Sequence, residues 1–233
     1  MAGSKANISA SPTATHVPAL AIADRFSRYQ PETEQPVRAI DAKEDKALTQ
    51  LKDAWRRFKV YRDTIDHDMV TRLYRRATKS IKDCKYTAAD VEKFSLALGE
   101  FKDEKAFGDK AGVFLSALVN KGRAKNYTIR TAHLDDVNWL CYANRKNVTI
   151  IGNIHECFAN EMRSGRVVVC GDAFDVGSLK GGTIVIRGDV DAISGPLSGG
   201  NITIWGHVNE LGIVIDYEWK NCTITIKGTG KRE

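Results

Sequence analysis

The 233-residue sequence lacks any apolar run near the roughly 20 residues that a membrane-spanning helix requires, so no bilayer-crossing segment is expected. Its opening stretch, Met1 to Ala10, lacks a charged-then-apolar signal pattern, and a secretory route is not expected. Cysteine is scarce. Cys84, Cys141, Cys157, Cys170 and Cys222 are odd in number, without a Cys-x-x-Cys pair or a Cys/His cluster. That spacing implies neither a disulfide framework nor a metal knuckle, and it predicts free thiols in a reducing compartment, the cytoplasm. A phosphate-binding glycine loop, a nucleophile elbow and a metal-spaced His pair are missing too. No catalytic residue, cofactor or metal ligand is therefore nominated. The remainder, 42% apolar and 27% charged, suits an ordinary globular protein rather than collagen, coiled coil or wholesale disorder.

Charge divides the chain. Residues 41–86 carry 13 Lys/Arg against 8 Asp/Glu, whereas residues 127–233 carry 11 against 12, within a net charge of +6. Residues 1–40, rich in Ala, Ser, Thr and Pro, read as an extended or disordered arm. Residues 41–122 read as a basic helical bundle. Leu48, Leu51, Trp55, Phe58 and Ile65 recur at helical spacing, and Val70, Leu73, Tyr74, Ala77 and Ile81 form a second stripe. Thr87 with Asp90 resembles a capping box opening a third helix through Val91, Phe94, Leu98 and Phe101. A fourth runs from about Lys105 to a glycine cap at Gly122, and all four read as short amphipathic helices. Asp66-His67-Asp68 reads as a solvated turn with a helix cap. Arg56, Arg57, Arg62, Arg72, Arg75, Arg76 and Lys79 form a possible basic contact face for nucleic acid or an acidic partner; a solvated helical face is the plainer reading.

The C-terminal half repeats. Gly152, Gly171, Gly188, Gly206 and Gly228 lie 19, 17, 18 and 22 residues apart. Four residues before them stand Val148, Val167, Ile184, Ile202 and Ile224, and two before them Ile150, Val169, Ile186, Ile204 and Ile226. Residues two apart on a strand face the same way, so each pair points into one core while Thr149, Val168, Val185, Thr203 and Thr225 face outward. A unit near 18 residues is too short to contain a helix and predicts stacked strand–turn coils. A further apolar column holds Met162, Leu179, Leu197 and Trp219, and the aligned glycines together with the pairs Gly181-Gly182 and Gly199-Gly200 mark corners expected to need unusual backbone angles. With Tyr127 and Ile129 opening the first coil, the expectation is an α+β chain. An N-terminal helical bundle precedes a short right-handed parallel β-helix of about six coils over 127–228, with a tail over 229–233.

Asn144-Arg145-Lys146-Asn147-Val148-Thr149-Ile150-Ile151-Gly152-Asn153-Ile154 and Leu179-Lys180-Gly181-Gly182-Thr183-Ile184-Val185-Ile186-Arg187-Gly188-Asp189-Val190 resemble coils of the GXGXG-type β-helix domain. That domain forms the C-terminal part of the glutamate synthase large subunit and also occurs in formylmethanofuran dehydrogenase, as one of its subunits. The resemblance spans residues 127–228. It implies an architectural element that packs against other domains or subunits and carries no catalytic residue of its own. Asp172 and Asp189 share one column on adjacent coils, with Asp175 and Asp191 near it. Such carboxylates could serve a polysaccharide-active β-helix enzyme, but turn-capping explains them more simply.

The expected function is thus a non-catalytic scaffold or assembly protein, acting as a homo-oligomer or as a subunit of a larger complex. Its expected contact is the apolar run near the last coil, with Leu211, Ile213, Val214 and Trp219 as the possible subunit interface. A run of this kind is otherwise core.

Overall fold

A computed structural model describes residues 45–60, 67–211 and 220–228. The arm over residues 1–40, the tail over 229–233, and Ile65, Arg62 and Asp66 lie outside the described residues. Helix α1 (Lys46–Arg57) starts where the Asp45 carboxylate accepts the Leu48 N–H at 3.2 Å. It buries Leu51, Ala54 and Trp55 and ends where the Phe58 N–H turns back to the Ala54 carbonyl, short of Ile65. Helix α2 (His67–Ser80) buries Val70, Leu73 and Ala77, with Ile81 closing its stripe. Helix α3 (Ala88–Ala97) opens on the expected capping box. The Thr87 N–H donates to Asp90 at 2.8 Å and the Asp90 N–H donates to the Thr87 hydroxyl at 3.3 Å. A 3₁₀ turn, Leu98–Phe101, follows.

Helix α4 (Phe107–Lys121) departs from the expected amphipathic pattern: every residue from Phe107 to Val119 except Asp109 is buried. The first turn of the β-helix covers it. At Gly112 a side chain would overlap the Asn138 carbonyl, and at Gly108 it would come within 2.8 Å of the Asp136 carboxylate. The Ser116 hydroxyl donates to the Gly112 carbonyl at 2.7 Å and accepts the Tyr142 N–H at 3.1 Å. Helices and β-helix therefore share one continuous hydrophobic core.

The six-stranded parallel sheet has the order β1 (Asn126–Arg130), β2 (Asn147–Ile151), β3 (Arg166–Cys170), β5 (Thr183–Ile186), β7 (Gly200–Ile204), β9 (Cys222–Ile226). A three-stranded parallel sheet stacks β4 (Ala173–Val176), β6 (Val190–Ile193) and β8 (Val208–Leu211). The registers place like over like: Tyr127 on Val148, Val148 on Val167, Val167 on Ile184, Ile184 on Ile202 and Ile202 on Ile224. Met162, Leu179 and Leu197 form the further ladder, while Trp219 lies outside the described residues. The chain is thus an α+β protein with a helical N-terminal part and a parallel β-helix. Helix α3 covers its first strand, where the Ser95 hydroxyl accepts the Arg130 N–H at 3.0 Å.

The aligned glycines serve a different purpose from the one expected. Of the five, only Gly152 has positive φ; Gly171, Gly188, Gly206 and Gly228 are required for space. A Cβ on Gly188 would stand 2.6 Å from the Gly171 carbonyl oxygen, because each of these glycines sits directly on the one before. Left-handed backbone is found at Gly182 and Gly200, the second residue of each expected corner pair, and also at Gly165, one residue before or at a strand start. Gly122 caps α4 in extended backbone, its N–H donating to the Leu118 carbonyl at 2.9 Å.

Candidate functional site

The nominated basic residues are exposed on α1 and α2. Arg56, Arg57, Arg72, Arg75, Arg76 and Lys79 all face solvent, and Arg62 lies outside the described residues. Arg56 is paired with Asp53 at 3.0 Å, and the Arg57 guanidinium donates to the Ser80 carbonyl at 3.4 Å, tying the two helix ends together. Of the nominated interface, Ile213, Val214 and Trp219 lie outside the described residues, and Leu211 closes β8.

The aspartate column acts as a ladder of caps. The Asn153 side-chain oxygen accepts the Asp172 N–H at 3.0 Å, Asp172 accepts the Asp189 N–H at 2.8 Å, and Asp189 accepts the His207 N–H at 2.8 Å. Asp175 does the same for the Ser194 N–H at 3.2 Å. Each carboxylate thereby satisfies a backbone donor of the next turn.

The connections after β1 and β2 form the irregular side of the first two turns. Trp139, Cys141 and Ala143, then Cys157, Ala159 and Glu161, adopt left-handed backbone at alternate positions. The two stretches pair with one another: the Trp139 N–H donates to the Glu156 carbonyl at 3.0 Å, the Ala159 N–H to Leu140 at 2.8 Å and the Ala143 N–H to Asn160 at 2.8 Å. Leu140, Cys141 and Tyr142 anchor this side in the core. A pocket lies at each end of it.

At one end, a cleft of about 710 Å³ opens between the start of α4 and these connections. Glu104, Asp109, Asp135, Asp136 and Glu156 line it with His155 and a single lysine, Lys102. Burial pushes the Asp109 carboxyl above its usual range. Asp136 and Glu156 add to that rise, and the Asn138 amide, donating to Asp109 at 3.1 Å, opposes it. His155 Nδ1 stands 3.8 Å from Asp136. Such a cleft favours a cationic group over an anion. Among the described residues, no group of three or more His, Cys, Asp or Glu is arranged to hold a metal ion. Behind the cleft, Lys110 is buried with its ammonium 2.6 Å from Glu104 and 4.0 Å from the centre of the Trp55 ring. Trp55 Nε1 donates to the same carboxylate at 3.2 Å.

At the other end lies a pocket of about 350 Å³, which shares Lys121 with a second of about 400 Å³. Arg145 and Arg163 line the first with Tyr74 and Asn120; Lys85 and Arg123 line the second with Tyr86. These five cations lie outside the basic face read from the sequence, because they come from four separate segments that only the fold brings near one another. All five cysteines are free thiols, and burial holds Cys141 and Cys84 above their usual range and pushes Cys157 up to about 12. His67 opens α2, with Nδ1 3.2 Å from the Asn160 amide, and Asp68 lies in the first turn. No helix among the described residues is long and apolar enough to cross a membrane. No protein-family model, curated protein or solved structure matches this chain.

Proposed function

We propose that the protein is a non-catalytic scaffold that assembles with a second copy of itself through β9, the last strand among the described residues of its β-helix. The observation carrying this reading is the contrast along the inward column. Val148, Ile150, Val167, Val169, Ile184, Ile186, Ile202 and Ile204 are at most 1% exposed, but Ile226 is 41% exposed and Ile224 only half-buried. Strand β9 pairs with β7 on one side alone among the described residues, and from Cys222 to Ile226 it carries no charge to discourage pairing on the other. A two-fold contact would set its alternating Thr and Ile residues against themselves in antiparallel register, continuing the core from one molecule into the next. The resemblance to the GXGXG-type β-helix domain supports the same architectural role, and five free thiols suit the cytoplasm.

Light scattering on purified protein at tens of micromolar tests it. A dimer mass is expected, and Ile226→Lys is expected to yield a monomer with unchanged far-UV circular dichroism. A monomer mass for the unaltered protein, with nothing co-purifying, would overturn the reading. A dimer that survives Ile226→Lys but dissociates on Val214→Glu would move the contact to the Leu211, Ile213, Val214 and Trp219 segment instead.

A further inference from the structure

We propose that the two adjoining basic pockets at the end of α4 form a groove that holds the phosphate backbone of single-stranded nucleic acid. This site is distinct from the exposed arginines of α1 and α2, and it does not depend on the assembly of the β-helix.

Five cations line the groove: Lys85, Lys121, Arg123, Arg145 and Arg163. No carboxylate lines either pocket, and none of the five is paired with one among the described residues. The C-terminal end of α4 contributes about half a negative charge nearby, which offsets only a fraction of one cation. The net field therefore favours an anion strongly.

The cations are held on fixed backbone. The Asn120 side chain on α4 accepts the Arg145 N–H at 3.2 Å and donates to the Tyr142 carbonyl at 3.0 Å. The Asn144 carbonyl accepts the Arg163 N–H at 3.0 Å, fixing the second arginine one turn further along the β-helix. Asn144 is itself fully buried, and its amide bridges both backbone groups of Lys146. The loops bearing the two guanidinium groups are thus locked to one another and to α4 before any ligand arrives, which lowers the entropy lost on binding.

Shape and walls favour a strand over a single phosphate. The two pockets share Lys121, so that one side chain can meet phosphates held in either. Tyr74 stands at one wall and Tyr86 at the other. The Tyr86 hydroxyl is already committed to the Leu118 carbonyl at 2.9 Å, leaving its ring rather than a donor to meet a ligand. Aromatic rings beside a cationic track are the means by which proteins hold unpaired bases without reading sequence. An acidic peptide would use the charges but not the rings.

Fluorescence anisotropy with a labelled mixed-sequence RNA of about 12 nucleotides tests the proposal on the full chain. Binding is expected to weaken roughly tenfold between about 50 and 200 mM KCl, as release of counterions from two or three phosphates requires. Arg145→Ala with Arg163→Ala is expected to reduce affinity at least tenfold and flatten that salt slope. Lys121→Ala with Arg123→Ala provides a second, independent pair should the first alter the thermal melt. Arg72→Ala with Arg75→Ala, removing the same charge from the exposed face of α2, is expected to change affinity by less than threefold. Absence of binding at about 50 mM KCl would overturn the proposal, as would equal losses from the groove and α2 pairs. Equally tight, groove-dependent binding of polyglutamate would overturn it in favour of an acidic protein partner.

Discussion

Lys110 sits 2% exposed beneath the acidic cleft, and a lone ammonium there would be costly. Burial lowers its affinity for a proton, and the Glu104 carboxylate, the chief opposing influence, restores part of it. Trp55 completes the arrangement by donating to Glu104 while presenting its ring face to the ammonium. Glu104→Ala is therefore expected to destabilise the fold by about 3 kcal/mol, since it leaves the charge buried without its counter-ion. Adding Lys110→Met should recover most of that loss. A double-mutant cycle in urea checks this, and a coupling energy below about 0.5 kcal/mol would show that the two residues act independently. None of this was visible in the sequence. Lys110 falls on a helix read as amphipathic, and it is interior because Trp55 of α1 and Glu104 close over it.

Within the strands, the period-two Val/Ile pattern was sufficient to place every strand of the larger sheet and its register. Parallel stacking of identical coils repeats the same physics at each step, so one alignment of residues describes them all. The corners were less legible. A glycine can be required by its backbone angle or by the atoms beside it, and sequence does not distinguish the two. Gly188 is of the second kind, hemmed in by the Gly171 carbonyl and the Asp172 carboxylate that caps the next N–H. Gly188→Ala is thus expected to cost about 2 kcal/mol, as overpacking does. Gly99→Ala, whose Cβ would meet only the exposed His133 side chain at 3.3 Å, should remain within about 1 kcal/mol of the parent. Thermal melts of the two variants check the difference, and equal losses would count against the stacked arrangement of the glycine column.

Across the whole molecule, stability depends on one core running from α1 to the last turns of the β-helix. Ile186 is fully buried at the centre of that run, whereas Thr203 on the neighbouring strand looks outward and is half-exposed. Ile186→Asp should cost several kcal/mol, because an unpaired carboxylate enters apolar surroundings, and Thr203→Asp should cost less than about 1 kcal/mol. Urea melts provide the comparison. Because helices and coils share the core, the Ile186→Asp loss should appear in a single transition, and separate unfolding of the helical part would show that the core is divided.

The sequence by itself determined the order of elements, the capping box of α3, the parallel pairing of the coils and the inward direction of their Val and Ile residues. Each of these follows from local chemistry or from a period repeated along the chain. Tertiary structure decided what no period encodes. It buried α4 on every side, turned the aspartate column into a ladder of caps, and brought Lys85, Lys121, Arg123, Arg145 and Arg163 from the end of α4 and three other segments to line two pockets that share Lys121. Residues in loops and at a helix end carry no periodic signal, and their meeting depends on where that helix end lies against the turn of a β-helix.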